Sequence, residues 1–180
     1  TEAEKNFSAA IAAYESLTKT DPLNLQWQRG AAVHLASLGQ LALRSGRPDK
    51  AMQVYQRALE VFQKLRQQSP QNWERIHDVA VTLQQLGMAS QAQGDLKGAE
   101  LYFKKELATA EELVAAGPGN PISQSFLAMS CAHCGDVAFA TDDSERAVQW
   151  FARARSLFEA LLAEQPDSVG LVLELVATYL

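Results

Sequence analysis

The chain has 180 residues, 47% hydrophobic and 21% charged, with 16 Lys and Arg against 21 Asp and Glu for a formal net charge of -5. That is the composition of an ordinary globular chain, and its mild acidity without a basic cluster argues against a nucleic-acid partner. No apolar run approaches the ~20 residues of a membrane span, and TEAEKNFSAA lacks the basic-then-apolar order of a signal peptide, so no membrane partner and a cytoplasmic location are expected. Apolar residues then fall at helical spacing from end to end and predict helices over about 2–19, 23–45, 48–68, 72–93, 96–115, 121–141, 144–164 and 168 to the end. The first carries Phe7, Ile11 and Tyr14; the second Ala31, Ala32, Leu35, Leu38 and Ala42; the third Ala51, Tyr55, Ala58, Phe62 and Leu65. Turns alternate between two kinds. One kind is SGRPD, QGDLK or TDDSE, with glycine as a helix stop or Asp and Ser as N-caps, and the other holds a proline, in TDPLN, QSPQN, AGPGN and EQPDS.

Those prolines, Pro22, Pro70, Pro118 and Pro166, stand 48 apart. So do Ala3, Ala51, Ala99 and Ala147, then Phe7, Tyr55, Phe103 and Phe151, then Leu17, Leu65, Leu113 and Leu161, and also Gly39, Gly87 and Gly135. Each period is a helical hairpin that cannot bury its apolar stripe alone, so hairpins must stack. The reading is one all-α domain over 1–180 of about 3.75 repeats: a half repeat at 1–22, full repeats at 23–70, 71–118 and 119–166, and the start of another at 167–180. A piece of a longer array is expected, with open ends that associate.

The run L-x-x-L-G-x-x-A at 35–42, followed by A-x-x-x-Y at 51–55, resembles the tetratricopeptide repeat, whose signature is W-x-x-L-G-x-x-Y, A-x-x-x-F and P. Leu83, Leu86, Gly87, Ala99 and Phe103 match in the next period, and Gly135, Ala147 and Phe151 in the third. Two features depart from that signature: its tyrosine is Ala42, Ser90 and Ala138 here, and the period is 48 rather than 34. The segment DPLNLQW at 21–27 is similar to hairpin junctions of long bacterial tetratricopeptide arrays. The resemblance implies a right-handed superhelical solenoid, a protein-interaction scaffold rather than an enzyme, and a concave face built by the first helix of each hairpin.

The motif CAHCG at 131–135 could be a redox dithiol, half a zinc site or a damaged haem signal. Its register answers for core: Cys131 shares the column of Leu35 and Leu83, and Cys134 that of Leu38 and Leu86. Two buried thiols packing as small hydrophobes are expected, with His133 turned away in the column of Ser37 and Gln85. No catalytic residue, metal site or cofactor is expected. The histidines His34, His77 and His133 read as solvated or groove-lining, without a paired carboxylate in their hairpins. Glu111 and Glu112 read as solvating charge, Asp142 and Asp143 as helix capping, and Trp27, Trp73 and Trp150 as packing.

Binding is expected on the stripe of first-helix positions that face away from the core columns. There Arg29 continues as His77 and Ser125, Gln40 as Met88 and Asp136, Leu43 as Gln91 and Phe139, and Ser37 as Gln85 and His133; Arg44 lies beside them. The partner is read as a protein or peptide. The first helices hold no lysine, and their arginines are Arg29, Arg44 and Arg75, which does not favour clamping of a terminal carboxylate. A self-assembling spacer is the alternative function, and a thiol redox module at Cys131 and Cys134 a third.

Overall fold

The computed structural model describes residues 2–179. Among these the chain forms α1 (Glu2–Thr20), α2 (Leu25–Arg44), α3 (Pro48–Gln68), α4 (Trp73–Ala92), α5 (Leu96–Ala116), α6 (Pro121–Ala140), α7 (Ser144–Glu164) and α8 (Val169–Ala177), with no strand. The first seven helices end within about two residues of the expected bounds. The last one was expected to run to the end of the chain, but it stops at Ala177, where Thr178 Oγ1 donates back to the Leu175 carbonyl at 2.7 Å; residue 180 lies outside the described residues. The chain divides into two compact units, Thr1–Asp95 with α1 to α4 and Leu96–Leu180 with α5 to α8. Within each unit, helices adjacent in sequence pack against one another.

The turns explain the helix starts. Each recurring proline is followed two residues later by an N-cap: Asn24 accepts from the Gln26 and Trp27 amides, Asn72 from Arg75, Asn120 from Ile122, and Ser168 from Leu171. These oxygens satisfy amides that have no intrahelical partner. At the other turns the chain reverses through a left-handed residue, Gly46 at φ 68 and Gly94 at φ 77, with Asp142 at φ 60 in the same register position. Asp143 rather than Asp142 caps α7, accepting from the Arg146 amide.

Packing follows the columns. Ala51, Ala99 and Ala147 are all buried, as are the aromatics Tyr55 and Phe103. In the first unit Gly39 lies under the ring of Tyr55, so close that a Cβ would sit 2.6 Å from Cε1; in the second, Gly135 lies under Phe151 at 2.7 Å. The glycine and aromatic columns are thus two halves of one contact, each ring filling the space that the missing side chain leaves.

Ion pairs join alternate helices on their exposed sides. In the first unit Glu4 on α1 meets Lys50 on α3 at 2.7 Å, and Glu15 meets Arg57 at 3.3 Å. In the second, Glu100 on α5 meets Arg146 on α7 at 3.2 Å, and Glu111 meets Arg153 at 2.8 Å. Glu111 is therefore paired rather than merely solvating. Glu4 and Glu100 stand 96 positions apart, twice the apolar period, and so do Glu15 and Glu111.

Candidate functional site

In the first unit the stripe borders an open hollow of about 220 Å³ between α2 and α4. Its walls are Val33, Ser37 and Gln40 from α2 and His77, Val81 and Gln85 from α4, over Phe62 of α3. A second hollow of about 570 Å³ shares Val33 and lies between Tyr14 and Leu17 of α1 and Trp27, Arg29 and His34 of α2. Two hollows along one helix make a groove that is mainly apolar between α2 and α4 and more polar against α1, with amides, an imidazole and a guanidinium on its rim. Gln40 and Arg44 are exposed, Leu43 and Gln91 half-buried, and Met88 is 40% exposed on α4.

Three of the expected site residues are already engaged. Arg29 forks onto Asp78, Nε to Oδ2 at 2.7 Å and Nη2 to Oδ1 at 2.9 Å, and reaches Glu74 at 3.2 Å. This bidentate geometry fixes the guanidinium plane at the groove edge. Gln85 Oε1 accepts from the buried Tyr55 hydroxyl at 2.9 Å, which locks the amide with its NH2 turned the other way; burial pushes the Tyr55 phenol up to about 12. His77 stacks on Trp73 at 4.9 Å, and burial lowers its pKa. Tyr14, Trp27 and Phe62 also line the groove, outside the set of residues expected there. The stripe was traced on first helices alone, whereas Tyr14 and Phe62 come from α1 and α3.

In the second unit, Asp136 and Phe139 stand at the rim of a hollow of about 650 Å³ that also involves Phe151 and Tyr179. Phe139 is 66% exposed, so it serves no core. His133 is placed differently from expectation: only 19% exposed, it lies against Glu106 of α5, its Nδ1 3.2 Å from each carboxylate oxygen, and stacks on Phe103 at 4.9 Å. His34, which lines the second hollow, stacks on Tyr14 at 5.5 Å, and its Nδ1 is buried with no hydrogen-bond partner.

Cys131 and Cys134 are buried and unlinked, as their register required. Burial pushes the first thiol up to about 11 and the second to about 12, which suppresses the thiolate that redox exchange needs. Among the described residues no group of three His, Cys, Asp or Glu is arranged to hold a metal ion, and no helix is long and apolar enough to cross a membrane.

Two family models, both described as tetratricopeptide repeat, match residues 3–72 and 79–118. The chain belongs to the tetratricopeptide repeat family. Membership carries the coarse assignment of a protein–protein interaction scaffold, a class that is typically non-enzymatic. Among solved structures, the chain is similar to BtubC (BKLC) from P. vanneervenii, with 23% identity and a TM-score of 0.65, over 87% of this chain and 58% of that one. The tetratricopeptide chain thus spans little more than half of that protein. Lower overlap is found with the de novo designed helical repeat protein DHR64, at 15% identity and TM-score 0.40 over 99% and 92% of the two chains. MamA overlaps at 17% identity and TM-score 0.32 over 88% and 92%. No curated protein matches the sequence.

Proposed function

We propose that this tetratricopeptide chain holds a peptide or partner helix on its first-helix stripe, carried by α2 and α4 in the first unit and, taken by itself, by α6 in the second. The observation that carries the reading is the groove along α2, with a mainly apolar stretch between α2 and α4 and an oriented guanidinium and amides on its rim. Met88 and Phe139 add exposed apolar side chains on the same set of helices, free for use as anchors. Gln40, Gln91 and Arg44 would supply hydrogen bonds to a peptide backbone, and Asp136 a carboxylate for a basic or amide group. A cytoplasmic setting belongs to the same reading.

The test begins with peptides selected from a random display library against the whole chain, mapped by amide chemical shifts. Shifts are expected at Ser37, Gln40, His77 and Gln85 and not at Arg57 on the ion-paired side. Changing Met88 and Phe139 together to Ser should leave the helical signal and melting temperature nearly intact and weaken a mapped peptide at least tenfold, about 1.4 kcal/mol. Unfolding of the double variant, or shifts confined to the ion-paired side, would sink the proposal. Mass that grows with concentration in a dilution series would favour the self-assembling spacer.

A further inference from the structure

One column of the second helices reads Ala10, Ala58, Glu106 and Ala154. Ala58 and Ala154 are fully buried, and Glu106 is buried to the same extent in their place. The fold needs only a methyl group at this position, and a carboxylate there is costly unless it is paired and hydrogen-bonded. Both conditions are met by α6. Ser130 Oγ lies 2.9 Å from Glu106 Oε1 and also 2.9 Å from the Phe126 carbonyl, so its single proton serves one acceptor at a time. His133 Nδ1 lies 3.2 Å from both carboxylate oxygens, and the ring is held flat against Phe103.

A carboxylate only accepts, so Nδ1 is the protonated nitrogen in every state of the pair. The proton that comes and goes is therefore on Nε2, in a side chain that keeps 19% of its surface exposed. We propose that Glu106 and His133 form a proton-controlled clasp between α5 and α6, an ion pair when Nε2 carries its proton and, when it does not, a weaker hydrogen bond from a neutral imidazole to a carboxylate whose buried charge has lost its counter-charge. The clasp needs no bound partner and stands apart from the peptide reading, although His133 lies on the α6 stripe and displays the change of charge there.

The groups that face the imidazole are all acidic: Glu106 from α5, Asp136 on α6 itself and Glu174 from α8. Burial alone would lower the imidazole pKa, but the hydrogen bond to Glu106 and the charges of all three acids outweigh it, so the value stands above the ordinary 6.5. Stabilisation by the clasp is then complete below 6.5 and is lost as pH rises through the raised folded value.

Side-chain NMR of the histidines in the whole chain, from about pH 5 to about pH 9, tests this directly. His133 should titrate above 6.5 with the proton entering at Nε2, and above His77, whose value burial lowers. Glu106→Gln keeps the shape of the side chain, removes its charge and should bring the His133 titration down. His133→Gln installs the residue found at the same register in Gln85 and should flatten the fall in melting temperature on the alkaline side. Titration of His133 at or below 6.5 in the unaltered chain overturns the clasp. So does a Glu106→Gln protein in which His133 is unmoved. Should that variant fail to fold, the unaltered chain and His133→Gln decide the matter on their own.

Discussion

At Asp142 the backbone stands at φ 60, where the two earlier repeats have Gly46 and Gly94. A Cβ in the left-handed region costs about 1 to 2 kcal/mol, part of which glycine forfeits through its greater freedom in the unfolded chain. Asp142→Gly is therefore expected to stabilise by about 0.5 to 1 kcal/mol, read as a higher midpoint in urea at unchanged slope. Reading TDDSE as capping was half right, because two adjacent acids do two jobs and only the backbone angle tells them apart. Cys131 is the opposite case, legible from register alone, since a residue in a leucine column must be apolar in effect. Cys131→Val should be nearly neutral. Cys131→Ser should cost about 1 to 3 kcal/mol by burying a hydroxyl, a difference that paired thermal melts would show.

Helices were legible almost to the residue because three kinds of signal repeat in phase: apolar spacing, the turn residues and the prolines. What the pattern did not reveal was which column touches which. The contact of Gly39 with Tyr55 joins two columns from successive helices, and it makes a direct demand: Gly39→Ala puts a methyl 2.6 Å from the ring of the fully buried Tyr55. The expected cost is about 1 to 3 kcal/mol by overpacking, measurable as a lower denaturation midpoint; parental stability would show that the ring can move. The same limit hid the partner of His133. Its column suggested a polar, outward residue, and the break in the alanine column at Glu106 was visible in the sequence, but their meeting depends on how α5 lies on α6.

The whole molecule is a sum of near-neighbour terms, as stacked repeats are. Residues 1–95, which hold four helices packed in chain order, should therefore fold when expressed alone. The expected outcome is a helical signal per residue close to that of the full chain, with a lower melting temperature; a disordered fragment would show that the first unit depends on the second. The family and the all-helical stack were legible at this scale because repetition multiplies a weak signal, whereas the groove depends on side chains from helices that the stripe did not include. The ion pairs carry a further meaning. Exposed pairs stabilise by about 0 to 1 kcal/mol each, too little to hold helices together. Yet their spacing is twice that of the apolar columns, and this is information that the columns lack. A hydrophobic code that repeats every 48 residues cannot distinguish one hairpin from the next, so α1 could settle on α5 as readily as on α3. One charge can distinguish them: Glu4 finds Lys50 on α3, whereas the matching place on α5 holds Gly98, although Glu15 would meet a cation at either place, Arg57 on α3 or Lys105 on α5. The pairs act as address labels, a small bias against slipped assembly in a chain whose parts otherwise look alike.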